Sequence, residues 1–167
     1  GDDGSVLASG ATVATSAAVL EAAIFLASQK LDEKNVPEED RVCWLSPAMY
    51  NMLVQGSTKV INTDYNGDSV NGGYASRKIK QLAGFEIVKT NNMPSTNITT
   101  GPTAYRGNFT ATTALCTHAG AVGTVKLIDL AMESGWDMRR QVTLMLAKYA
   151  VGHGIVREES AVEITTA

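Results

Sequence analysis

The chain has 167 residues, 44% of them hydrophobic and 19% charged, with a formal net charge of −3 and an isoelectric point of about 5.4. A chain of this length can bury roughly 70% of its unfolded surface, so it can fold as one domain or two small ones without a disulfide or a metal. The mild acidity and the lack of a Lys/Arg stripe argue against a protein built to grip nucleic acid, and no apolar run reaches the ~18 residues of a membrane span.

Residues 1–14 are mostly Gly, Ser, Ala and Thr and read as a lead-in. In GDDGSVLASG, acids stand where a signal peptide carries bases, so no secretory signal is expected; without an initiator Met the chain reads as a piece of a longer one. A helix follows. Thr15 or Ser16 can cap it, Leu20, Ile24, Ala27 and Leu31 recur at helical spacing, and Val19, Ala23 and Leu26 widen that stripe. Asn35 and Pro37 stop it, and EEDR reads as a solvated turn. RVCWL, Arg41–Leu45, has the β-branched and aromatic content of a short buried strand. Ser46 then caps a second helix with Pro47 in its first turn, ending at Gly56.

Residues 57–74 are turn-rich, GFEIVKT (Gly84–Thr90) is an alternating strand, and residues 91–110 form a long polar loop. TALC reads as a strand and HAGAVG as a small-residue turn. TVKLIDLAM, Thr124–Met132, alternates, with Ile128 breaking the polar face. ESGWDMRR reads as a charged turn carrying Trp136. VTLMLAKYAV, Val142–Val151, is apolar on both faces and predicts a buried strand. In YAVGHGIVREE, Gly152, His153 and Gly154 continue that strand, the glycines suggesting a bulge or a close backbone approach. SAVEI is the last strand. The pattern is mixed α+β, with strands that do not alternate regularly with helices.

Side chains suited to chemistry are sparse. Cys43 and Cys116 sit in apolar strand-like runs and read as buried thiols of a reducing compartment, with a disulfide left open. Cys116 and His118 fall on one face of a strand, the placement a thiolate–imidazole pair needs, but no glycine-rich elbow frames them. Cys43, Cys116, His118 and His153 lack the paired spacing of a zinc site. Asp64, Asn66 and Asp68 faintly echo a calcium loop whose closing acid would fall at Ala75. Asn97 and Asn108 lie in glycosylation sequons by pattern only. The inventory predicts no catalytic residue, no cofactor and no metal site.

The stretch AVGTVKLIDLAMESGWDMRRQVTLMLAKYAVGHGIVREESAVEI resembles the end of the major capsid proteins of T7-like short-tailed bacteriophages. The likeness lies in the order of its pieces: a small-residue turn, an Asp-Leu-Ala strand, a charged turn, the AKYA strand, GHG and an Arg-Glu stretch. VPEEDRVCWLSPAMYNML and GFEIVKTNNMP match the family upstream, so the resemblance runs from about Leu20 to Ile164, with no close match at 57–74 and 91–110.

The resemblance implies an HK97-like fold. After the lead-in, 1–15, it makes 41–123 the axial domain and joins the helix of 16–40 to 124–167 as the peripheral domain, with the N-terminal arm, extended loop and spine helix absent from this sequence. It implies a non-enzymatic virion protein that self-assembles in the host cytoplasm into hexamers and pentamers of an icosahedral shell. Scaffold and portal proteins are its implied partners, and double-stranded DNA is enclosed without sequence-specific binding. The turn holding Trp136, Asp137, Arg139 and Arg140 resembles the family's peripheral loop, which meets neighbours at three-fold positions, so these four are candidate interface residues. Gly152, His153 and Gly154 are then structural. The alternatives are a cellular encapsulating shell of the same fold and a small cytosolic enzyme using Cys116 and His118.

Overall fold

The computed structural model describes residues 5–8, 10–56 and 79–166. The turn-rich stretch 57–74, with Asp64, Asn66 and Asp68, lies outside them. The chain forms two compact units: one runs up to Ala121 and resumes at Arg157, the other is Val122–Val156.

The first unit contains β1 (Ser5–Ala8), α1 (Ala17–Glu33), β2 (Arg41–Leu45), α2 (Pro47–Gly56), β3 (Gln81–Leu82), β4 (Phe85–Lys89), β5 (Asn97–Ile98), β6 (Gly107–Asn108) and β7 (Thr112–His118). The second consists of β8 (Val122–Asp137) and β9 (Val142–Ile155), and β10 (Ala161–Thr165) returns to the first. Six strands make one mixed sheet in the order β1-β10-β7-β2-β4-β3. β1 with β10 and β2 with β4 run parallel; the other pairs are antiparallel. β5 and β6 form a small ladder within the polar loop.

α1 forms where its stripe predicts. Leu20, Ile24, Ala27 and Leu31 are fully buried, and Ala17 and Ala23 join them. Leu26 departs from the expected stripe and is exposed beside Phe25. The helix ends because Asn35 takes a left-handed conformation (φ 56°), which lets the Val36 N–H donate to the Leu31 carbonyl at 3.0 Å. Ser16 occupies the N-cap position without a side-chain bond, whereas Ser46 accepts the Met49 N–H at 3.4 Å and caps α2 as its sequence suggests.

β2 alternates Arg41, Cys43 and Leu45 inward with Val42 and Trp44 outward. The register builds the core in rows. Ile87, Cys43, Cys116 and Val162 are neighbours across four strands, as are Leu45, Ala114 and Ile164 across three. Both rows belong to one apolar cluster with the buried faces of α1 and α2. On the other sheet face Trp44 pairs with Leu115 and donates its indole N–H to Thr117 Oγ1 at 3.2 Å.

One expectation is corrected here. The lead-in is partly anchored: β1 pairs with β10, and Val13 is fully buried. Within the first unit α1 packs against β1, β10 and α2. Short-range periodicity located the helix and the last strand but not their neighbours.

Arg41 is 3% exposed at the inward-facing start of β2. Its guanidinium donates to the Pro37 carbonyl (2.8 Å), the Val36 carbonyl (2.6 Å) and Asp32 Oδ1 (2.7 Å). A buried cation is tolerated only when its donors are satisfied, and charge-assisted bonds are each worth about 1.5–3 kcal/mol net. Arg41→Ala is expected to cost about 2–3 kcal/mol and lower the melting temperature by roughly 5–10 °C. Arg41→Lys should recover less than half of that loss, since an ammonium cannot fork to several acceptors. An unchanged melting curve for Arg41→Ala would refute the role.

Candidate assembly surface

The Val122–Val156 unit is a two-stranded antiparallel ribbon of 16 and 14 residues joined by a turn at Met138–Gln141. β8 does not stop at Met132; it runs through Glu133–Asp137, so most of the predicted ESGWDMRR turn is strand. In-register pairs run out to Trp136 with Thr143 and Asp137 with Val142.

Alternation sets which side chains share a face. In β9, Val142, Leu144 and Leu146 point to one side, and Met145, Tyr149 and Val151 to the other. All six are exposed. The two-sided apolar pattern thus does specify a strand, but not one buried within this chain. β8 adds exposed Val125, Leu127, Leu130 and Met132. Its ladder slips at two places, between Lys126 and Ile128 and between Ile128 and Ala131, each time with one extra residue on β8. These bulges explain why Ile128 falls out of phase with its neighbours. Cross-strand polar pairs are few: Lys148 with Glu133, and Thr124 Oγ1 with His153 Nδ1 at 2.9 Å.

The four candidate contact residues lie together at the ribbon tip. Trp136 is 64% exposed. Asp137 Oδ1 accepts the Arg139 N–H at 2.9 Å, an Asx turn that shapes the tip, and its other oxygen lies 4.0 Å from Arg140 Nε. Gln141 completes the reversal with φ 51°. Met138 is exposed beside them and carried no sequence signal of its own.

Gly152, His153 and Gly154 are strand residues, but neither reason offered for the glycines holds. Their register is unbroken, and a Cβ built on Gly152 or Gly154 would meet nothing within 4 Å. The close approach falls at Gly123 instead, where a Cβ would lie 2.6 Å from Val156 Cγ2. The ribbon exposes apolar side chains on both faces and carries an aromatic and charged tip.

A second exposed apolar strip runs along α1, where Ala18, Ala22, Phe25 and Leu26 border a shallow groove with Glu21 and Gln29.

The Cys116–His118 reading lacks its thiolate. Cys116 is fully buried, and its S–H points to Cys43 Sγ at 3.3 Å. That hydrogen bond, burial and the neighbouring sulfur push the Cys116 thiol well above its usual pKa. His118 Nδ1 instead accepts the Gly120 N–H at 2.9 Å. Among the described residues no three His, Cys, Asp or Glu side chains converge as a metal site, and no helix is long and apolar enough to cross a membrane.

Comparison with known proteins points one way. The family model for Gp10A-like major capsid proteins matches residues 1–165. The major capsid protein of Escherichia phage T7 is 31% identical over 157 residues, covering 84% of this chain and 44% of that protein. In the capsid structure of cyanophage P-SCSP1u, a chain with 37% identity superposes with a TM-score of 0.78, over 94% of this chain and 49% of that one. The mature capsid of bacteriophage PhiM1 gives a TM-score of 0.71 at 19% identity, a likeness of fold alone, over 89% of this chain and 47% of that one. The chain thus spans less than half the length of these relatives, and its α+β fold is the HK97-like fold of phage capsids.

A fully buried thiol should resist alkylation. In reducing buffer near neutral pH, iodoacetamide is expected to label Cys43 and Cys116 at least about 100-fold more slowly in the native protein than after unfolding. Fast labelling of native Cys116, followed by mass spectrometry, would reinstate an activated cysteine.

Proposed function

The chain belongs to the Gp10A-like major capsid protein family of bacteriophages, and we propose that it builds hexamers and pentamers of an icosahedral shell around double-stranded DNA. The observation that carries this reading is the ribbon with apolar side chains exposed on both faces. A two-stranded ribbon is marginal in water by itself, and contiguous exposed apolar surface marks contact with other protein surface. Many copies repeating moderate contacts give a closed shell its strength through avidity, with no need for a single tight interface.

In this reading residues 41–123 form the axial domain, clustered at capsomer centres, and the helix of 16–40 together with 124–167 forms the peripheral domain. Trp136 is the anchor at the tip, with Met138 beside it; Arg139 and Arg140 pair with acids of neighbouring subunits. Trp and Arg are the residue types that most often dominate interface energy. Scaffold and portal proteins are the expected partners, with assembly in the host cytoplasm before release as a virion. The net charge of −3 suits a container, because a shell gripping phosphates would hinder filling and emptying.

Trp136→Ala in the full-length protein, assembled with its scaffold, is expected to lower shell yield at least several-fold while moving the subunit's melting temperature by no more than about 1 °C. Light scattering and electron microscopy read the first quantity, calorimetry the second. Normal shells from the variant would remove Trp136 from the contact, and a wild-type protein that stays monomeric with its scaffold would overturn the shell reading.

A further inference from the structure

The core row through β2 and β7 sets two cysteines opposite each other. Cys43 and Cys116 are register partners on adjacent antiparallel strands, and their sulfurs lie 3.3 Å apart. Directly opposed residues in such a pair have Cα atoms about 4.5–5.5 Å apart, inside the range of about 4.4–6.8 Å that a disulfide accepts. Both side chains already point into the core, between Ile87 and Val162 of the flanking strands. Closing the bond therefore needs a sulfur displacement of about 1.3 Å and no new backbone path.

We propose that Cys43 and Cys116 are a latent crosslink, reduced while the protein folds and oxidised to a disulfide once the protein stands in an oxidising medium. Peroxide is a sufficient oxidant. One thiol, as thiolate, attacks a peroxide oxygen; the O–O bond breaks, giving a sulfenic acid and water. The second sulfur then attacks the first, forming the S–S bond and releasing the hydroxyl with the second thiol proton as water. Two thiols are oxidised and one hydrogen peroxide is reduced to two waters.

The bond would be slow to form and hard to reverse. Both sulfurs are fully buried, so oxidant and reductant reach them only during local opening, and Cys116 is held in its thiol form. The cysteines stand 73 positions apart in sequence, so the link closes a long loop, where chain-entropy stabilisation is large. It joins β2, which follows α1, to β7 and would lock the centre of the sheet. The step into an oxidising medium rests on the shell reading above; the sulfur geometry does not.

The test uses the full-length protein, both free and in purified particles, treated with dilute hydrogen peroxide and then with or without dithiothreitol. The expected result is a mass lower by two hydrogens, a Cys43–Cys116 linked peptide in non-reducing digests, and a melting temperature raised by about 5–10 °C. Dithiothreitol added to unfolded protein should reverse all three. Cys116→Val, which keeps an apolar β-branched side chain in the row, should fold and show no peroxide-dependent rise. Two free thiols after peroxide treatment, oxidation to sulfinic acid without the linked peptide, or a link that lowers the melting temperature would each overturn the proposal. A linked peptide in protein that never forms particles would support the crosslink and remove the shell reading. Particles that form yet keep both thiols would do the reverse.

Discussion

A guanidinium turned inward at the first residue of β2 is the constraint around which the first unit is arranged. Arg41 is the one charged side chain among the described residues that this core buries. Its acceptors must therefore arrive from nearby with their lone pairs free. Asp32 comes from the last turn of α1, and the Val36 and Pro37 carbonyls come from the segment after it. Those carbonyls are free because Asn35 turns left-handed and ends the helical ladder before they can join it. Helix length, turn and strand start are thus coupled through one cation. Moving α1 by a turn along the sheet would carry Asp32 away and leave that buried cation short of an acceptor.

The second unit obeys the opposite logic. The sheet hides its apolar rows beneath α1 and α2. The ribbon has no second layer of its own and spends its apolar residues on two exposed faces. Hydrophobic burial is roughly proportional to the area removed from water, whichever molecule supplies the cover. In a subunit built for assembly, the same driving force can act within the chain at the sheet and between protein surfaces at the ribbon. Mutations in the two regions should therefore be read on different scales, folding in one and association in the other.

What could be read from sequence followed the range of the interaction. The α1 stripe, the Ser46-Pro47 helix start and the RVCWL strand depend on residues within one or two turns, and apart from exposed Leu26 they are where the sequence puts them. β1 carries too weak a signal to be read locally because SVLA is only four residues long and is flanked by Gly, Asp and Ser; it exists through its pairing with β10, more than 150 residues away. Facing Cys43 with Cys116 depends on β7 lying beside β2, a long-range choice that no local spacing records. The pattern of VTLMLAKYAV specifies a strand with two apolar faces, but periodicity does not record burial, and both faces are exposed in this chain.

An exposed ribbon has two open edges as well as two faces, and open edges invite uncontrolled strand pairing. The two extra residues in β8 matter here. Bulges interrupt the even row of backbone donors and acceptors that an incoming strand would need, and they increase local twist. Lys126 and Asp129, an ion pair at 3.9 Å, lie within the bulged stretch and add charge to the same edge. The β8 edge is thereby poorly suited to strand addition, while the apolar faces stay available. Contact through the faces is selective because it depends on side-chain shape, whereas edge pairing accepts almost any extended chain. The ribbon thus divides its two kinds of surface: the side chains of its faces offer shape-dependent apolar contact, and the backbone of one edge is a poor template.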